Sequence, residues 1–424
     1  MSQTIAAEKK NASFVGILRQ YMMLLILAVI IVFFQIVTDG KMLNPMNVSN
    51  VIFQNAYVVI LACGMLLCIL TGGNIDLSVG SVVAVVSACA GTFIISWKWN
   101  PYLSMLLCLL ISIGIGMFQG FWIAYCRIPP FIMTLVGMLF FRGLTLRILN
   151  GMTLAPFPQG LLKFSTGFVF AGDPLGGLLG GADGAKLFGL RNVTCFATGV
   201  LLAAAYVAIT FVGYSSRKRK GYSVEGFLGL LIRTLIVCAA IIALFYLLAG
   251  YRGVPTVLVT LGVILLVYSF LTTNTVMGRH LYALGGNEKA ARLSGVKTKR
   301  MMFLAYTNMS FLAGVAALVF SARLNSAAPQ TGSGFEMDAI AACFIGGASA
   351  YGGVGTIGGA LVGGLIMGIL NNGMSIMGLK TDTQQMIKPL VLLAAVALDV
   401  IPKQRVLDPL LDRIRLRKRV NVSA

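Results

Sequence analysis

The amino-acid sequence predicts an all-α polytopic membrane protein with about ten to twelve transmembrane helices and two glycine-rich broken or re-entrant segments. Three observations predict this class. Hydrophobic residues make up 58% of the 424 residues and charged residues only 11%, whereas soluble domains carry roughly a quarter charged residues. The mean hydropathy is +0.89. The apolar runs are continuous and helix-length, unlike the alternating segments of about ten residues that build an outer-membrane barrel.

The formal net charge of +20 raises the question of nucleic acid, and the placement of the charge answers it. Basic residues gather in short stretches between or beyond apolar runs: Lys9 to Arg19, Arg127, Arg217 to Lys220, Arg279 to Arg300 and Lys403 to Arg419. That distribution is the positive-inside signal, which sets orientation. No aromatics interleave with the charges as a stacking groove requires, so nucleic acid is not an expected partner. The eight cysteines lie in or at the ends of apolar runs without a CxxC pair, and His280 is the one histidine. No metal, disulfide or cofactor is expected.

The elements follow from the runs, taken in order. A polar, basic tail to Gln20 reads as cytoplasmic. Span 1, Tyr21–Val37, lacks a small-residue cleavage site and reads as uncleaved. Span 2 is Val51–Leu70 and span 3 is Val79–Trp97, where Trp97 and Trp99 suit an interfacial belt. Span 4, Tyr102–Cys126, stops at the prolines of CRIPP, and span 5 is Phe131–Leu149. The glycine-rich stretch Asn150–Asn192 is expected as an outer loop. Spans 6, 7 and 8 are Val193–Gly213, Phe227–Ala249 and Thr256–Val276, with the tight outer turn YRGVP before span 8. An inner segment, 278–300, precedes span 9, Met301–Phe320. Span 10, Met337–Ser349, is too short to cross alone. Spans 11 and 12 are Gly358–Met374 and Met386–Ile401. The sequence thus divides into a tail (1–20), one transmembrane domain (21–401) and a basic tail (402–424), with both termini expected in the cytoplasm.

Two breaks stand out. The first, TGGNIDLSVG (Thr71–Gly80), separates spans 2 and 3 and holds Asp76, the only acidic residue between Lys41 and Gly172. The second, IGGASAYGGVGTIGG, follows span 10. Paired glycine-interrupted segments near opposite ends of a chain point to a transporter's central site. Gly72, Gly73, Gly80, Gly346 and Gly347 are the candidate hinges. Asn74, Asp76 and Ser78 supply polar groups for a solute path, with Asn55, Gln119 and Thr134 facing them from neighbouring spans. Phe131 offers a flat apolar surface or a gate. Asp76 has a competing role as N-cap of span 3. Gly355, Gly359 and Gly363, then Gly364 and Gly368, keep a four-residue spacing that suits close helix packing. Glu336 and Asp338 are placed near an outer edge and Asp399 near an inner one.

No GxxxxGK[ST] phosphate loop, HExxH or GxSxG occurs in the sequence, so nucleotide hydrolysis and catalysis are not expected of this chain. Within the inner segment a short helix is expected after Asn287, with Asn287 as N-cap, Glu288 at the first helical position, Ala290 and Ala291 as a small packing face and Gly295 closing it. Such a helix suits docking of a cytoplasmic partner, an ordinary basic loop being the alternative.

Four ordered motifs carry a resemblance: TGGNIDLSVGS (Thr71–Ser81), PPFIMTLVGMLFFRG (Pro129–Gly143), YALGGNEKAARLSG (Tyr282–Gly295) and DAIAACFIGGASAYGGVGTIGG (Asp338–Gly359). Together they resemble the permease subunit of bacterial monosaccharide ABC importers over nearly the whole chain. The helix pair ending in YRGVPT (Tyr251–Thr256), with TDG before span 2, resembles most the xylose and multiple-monosaccharide branch. The resemblance implies an inner-membrane permease for xylose or related sugars. It also implies a separate ATPase, a periplasmic or lipid-anchored sugar-binding protein, and a second permease copy in a homodimer surrounded by membrane lipid. Gly285, Gly286, Asn287, Glu288, Ala290, Ala291, Ser294 and Gly295 would then form the coupling element. They echo only loosely the EAA–glycine loop of other importers. An ion-coupled sugar symporter and a membrane scaffold without transport are the competing classes.

Overall fold

A computed structural model describes residues 23–175, 190–221 and 226–403. The N-terminal tail, most of the C-terminal tail and the glycines from Gly176 to Gly184 lie outside the described residues. Helix α1 covers Met23–Val37. It is followed by α2 (Pro45–Leu70), α3 (Val79–Gly91, continued by a π-helical turn to Ser96), α4 (Pro101–Ala124) and α5 (Pro130–Leu149). Two of these starts share one grammar, a capping asparagine followed by proline. Asn44 accepts from Met46 N and Asn100 from Tyr102 N, and the next residue is a proline whose missing N–H costs nothing there.

The remaining elements are α6 (Gln159–Thr166), β1 (Phe168–Val169), α7 (Val193–Arg219), α8 (Phe227–Ala249), β2 (Val254–Pro255) and α9 (Thr256–Asn274). They continue with α10 (Val276–Gly286), α11 (Glu288–Leu293), α12 (Thr298–Leu324), α13 (Phe335–Ile345), α14 (Ile357–Ile376) and α15 (Thr381–Lys403). Among the described residues nine helices are long and apolar enough to cross a membrane. The 11-residue α13 is a half-helix.

Helix α2 is the axis of the bundle. Every residue from Asn55 to Leu70 is buried, as expected of a helix that is apolar all round. It packs on α12, α14, α13 and α9, while α12 also packs on α4 and α3. Lipid tails are as apolar as leucine, so burial of oil against oil gives little drive to associate helices in a bilayer; close approach and polar ties supply it. The glycines of the 355–368 register do this. A side chain at Gly363 would strike the Ala342 carbonyl, one at Gly364 would press on Val59, and one at Gly368 on Asn55. Ser87 and Ser321 hydroxyls, 2.6 Å apart, tie α3 to α12. The α7–α8 hairpin is peripheral, paired chiefly with itself.

The stretch expected as an outer loop is partly built. Helix α6 seats a fully buried Leu161 and donates from Ser165 Oγ to Val319 O at 2.9 Å. Strand β1 pairs antiparallel with β2, Phe168 opposite Pro255. The abundance of glycine hides this short apolar face when the stretch is averaged.

Candidate functional site: the junction of two broken segments

The first break leaves α2 through Thr71 and two glycines with positive φ, Gly72 at +116° and Gly73 at +77°. The second runs from Gly346 to Thr356, between α13 and α14. The chain brings the two together. A Cβ on Gly73 would strike the Ala350 carbonyl, one on Gly352 would land on Gly72, and Gly353 N donates to Leu70 O at 3.3 Å. The other expected hinges are also contact points. Gly80 meets Gly332 backbone to backbone, Gly346 meets Gly359, and Gly347 has φ +81°. Paired breaks far apart in sequence therefore form one junction.

The inner segment closes this junction from a third side. It contains two helices where one was expected. Helix α10 turns Gly278, Leu281 and Leu284 inward and ends with Gly285 against Leu70 O and Gly353 N. Tyr282 Oη donates to Gly355 O at 2.7 Å. Asn287 then caps α11, accepting from Ala290 N at 3.0 Å, and Gly295 follows with φ +85°. Ala291 is buried, whereas Glu288, Ala290 and Ser294 are exposed. Leu293, not anticipated from the sequence, is 89% exposed. Gly286 has open space around it.

Asp76, Ser78 and Gln119 meet, but inside the helix bundle. Asp76 Oδ1 accepts from Ser78 N (2.8 Å) and Ser78 Oγ (2.6 Å), and Gln119 Nε2 donates to Ser78 Oγ at 2.9 Å. All three are buried, and Gly137 of α5 lies so close to the Gln119 amide that a Cβ would collide with it. The N-cap position of α3 is Ser78; Asp76 braces the turn before it and is not the cap itself. Asn55 is elsewhere, donating to Val51 O and Gly368 O and so fastening α2 to α14. Thr134 is buried and bonds back to Pro130 O. Asn74 is half-buried and bonds to Thr71, while Phe131 is 61% exposed.

Because one carboxylate oxygen makes both bonds, Asp76→Asn, which keeps an accepting oxygen, is expected to leave stability and uptake near wild type. Asp76→Ala strips the buried Ser78 N–H of its acceptor, while the Ser78 hydroxyl keeps Gln119 Oε1 at 3.1 Å, and should cost about 1–3 kcal/mol. Thermal unfolding alongside initial uptake rates checks both. A stable Asp76→Asn protein with strongly reduced uptake would show instead that the charge acts on the solute.

Asp338, placed near an outer edge by the sequence, is fully buried on α13. Lys388 Nζ of α15 lies 3.1 Å from each carboxylate oxygen, and Tyr57 Oη of α2 donates at 2.7 Å. The Tyr57 ring stacks on Phe335 at 3.7 Å. The sequence signal for this pair was opposite charges inside two apolar runs, a combination that calls for pairing in a membrane protein.

Buried polar ties, a half-helix and two facing breaks in a bundle of apolar helices define a multi-pass membrane permease, the arrangement expected where non-helical backbone lines or braces a route through a bilayer. The family model described as branched-chain amino acid transport system / permease component matches residues 47–396, and the chain belongs to that family. Its relatives include the xylose transport system permease protein XylH of Escherichia coli strain K12, 35% identical over 388 residues, covering 92% of this chain and 93% of the relative. XylH of Haemophilus influenzae is 34% identical, covering 92% and 98%. The ribose import permease protein RbsC of Bacillus subtilis is 32% identical, covering 94% and 98%. No solved structure matches the chain.

Proposed function

We propose that this permease imports monosaccharides, with xylose the foremost candidate, driven by a separate ABC ATPase that docks at the inner segment. The curated relatives carry xylose and ribose in their names, which favours a sugar over the branched-chain amino acids of the family description. The observation that carries the mechanism is the contact of α10 with both breaks, through Gly285 on Leu70 O and Gly353 N and through Tyr282 on Gly355 O.

An ATPase gripping α11 at Ala290, Leu293 and Ser294 would move Asn287, the one residue between α11 and α10. That displacement has no slack to absorb it, since packed interiors respond by switching and not by stretching. The two breaks would slide and re-aim α3 and α13. Asn74 and Phe131, the path candidates with open surface, would meet solute first; Asn55, Asp76, Ser78, Gln119 and Thr134 would reach it only after such a shift. The positive-inside pattern of basic residues supports an orientation with α11 and both termini in the cytoplasm. A second permease copy and a sugar-binding protein would complete the importer. Specificity would reside mainly in the binding protein, since a path that releases its solute must bind it weakly.

Proteoliposomes holding the permease, its ATPase and the binding protein should take up labelled xylose only with ATP on the ATPase side. An excess of unlabelled leucine should leave that uptake unchanged. Uptake driven by a proton or sodium gradient in permease-only vesicles would overturn the assignment.

A further inference from the structure

Where α4 ends, the turn to α5 and the start of α12 enclose a cavity of about 880 Å³ with α11 on its far side. Six cations line it, Arg127, Lys289, Arg292, Lys297, Lys299 and Arg300, against one carboxylate, Glu288. No hydrogen bond or ion pair from these six side chains to a protein group occurs among the described residues. Arg127 sits in the turn at φ +59°, a conformation that residues with a side chain adopt infrequently. The remaining wall is apolar, with Ile128, Val296 and Met302.

Helix α4 and its C-cap residue Tyr125 reach the cavity with an exposed aromatic face of Phe118, Phe121, Trp122 and Tyr125. The Tyr125 ring leans on Phe303 of α12 at 5.8 Å, and Ile128 N donates to Trp122 O at 3.1 Å, folding the turn against that face. Amphipathic rings of this kind mark the headgroup level of a bilayer. An uncompensated basic cavity continuous with a lipid-facing aromatic surface fits a molecule with a phosphate at one end and alkyl chains at the other. Arginine grips phosphate oxygens in bidentate fashion, and the alkyl chains would lie along Phe121 and Trp122.

We propose that this cavity binds the headgroup of an anionic phospholipid and so fastens α11 to the α4–α5 turn. A soluble organic phosphate shares the headgroup chemistry but leaves the aromatic face uncovered. An acidic protein surface would match the charge but not the adjoining apolar face. The inference stands apart from the importer reading, and its test needs neither sugar nor ATP.

The chain has three tryptophans, and Trp97 and Trp99 lie in the turn before α4, at the opposite end of that helix from Trp122. A Trp97→Phe, Trp99→Phe protein leaves Trp122 as sole reporter, and a Trp97→Phe, Trp122→Phe protein leaves Trp99. In vesicles, brominated phosphatidylglycerol should displace lipid at Trp122 with an affinity about fivefold or more above that of brominated phosphatidylcholine, since each nearby cation adds attraction for an anionic lipid. Trp99 should show no such preference. Arg127→Gln with Lys299→Gln and Arg300→Gln should bring the Trp122 ratio close to unity, whereas Arg127→Lys should retain most of it; because these side chains are exposed, the variants are expected to fold. Equal quenching by both lipids at Trp122, an equal preference at Trp99, or a preference that survives the triple variant would overturn the proposal. Displacement by millimolar glycerol phosphate would assign the cavity to soluble phosphates and also overturn it. So would a triple variant that keeps its lipid preference but loses ATPase assembly.

Discussion

Replacing Lys388 by methionine is expected to destabilise the permease by about 3–5 kcal/mol, because it leaves the Asp338 carboxylate buried with only the Tyr57 hydroxyl beside it. An ion taken out of water is tolerated only when a counter-charge and hydrogen bonds replace its solvent, and Lys388 supplies the counter-charge from 3.1 Å on both oxygens. Helix α15 rests chiefly on α13, so the same pair is the polar tie that seats α15. The double variant Asp338→Asn with Lys388→Met removes both charges and keeps an acceptor for Tyr57. It should recover most of the lost stability, since a missing pair costs far less than a broken one. Thermal unfolding of the two single variants and the double variant in detergent gives the coupling energy directly. Additive losses would mean that the two charges do not depend on each other.

The sequence made the bundle legible because its spans are uninterrupted apolar runs bounded by caps and prolines, features that act locally. The two breaks were legible for the same reason, since glycine pairs and a lone carboxylate interrupt those runs. Their meeting was not, because it depends on contacts such as Gly73 with Ala350 and Gly285 with Leu70, between residues hundreds of positions apart. Polar residues on spans showed the same limit. The sequence marks Asn55 and Gln119 as groups facing the first break from neighbouring spans, but whether such a group faces a solute or a neighbouring carbonyl depends on helix rotation. For Asn55 the close approach of Gly368 decides it, turning the amide onto a backbone oxygen. Helix α10 was readable in principle: Gly278, Leu281 and Leu284 keep one face, but three basic or polar residues nearby disguised the period. The short helix α11 was legible because Asn287 and Gly295 are local start and stop signals.

The sharpest consequence of the junction falls on two adjacent glycines. A Gly285→Val protein should lose ATP-driven uptake by on the order of a hundredfold, equivalent to about 3 kcal/mol. A Cβ there lands on the carbonyl of Leu70, where α2 gives way to the first break, and on the amide of Gly353 in the second; these backbone atoms cannot rotate aside as a side chain would. Relief requires that α10 lift off, which severs the contact through which α11 would act and strains the Tyr282 bond to Gly355 O. Gly286 is the internal control. It follows directly in sequence, has nothing within 4 Å of a built Cβ and lacks a positive φ. Gly286→Ala should therefore transport like wild type, and by reducing the freedom of the unfolded chain it should not lower stability. Uptake measured beside membrane insertion and basal ATP hydrolysis separates the outcomes. Loss of uptake in Gly285→Val with the ATPase still bound and hydrolysing places the junction on the coupling route. Normal uptake by Gly285→Val would show that α10 does not press on the two breaks during transport.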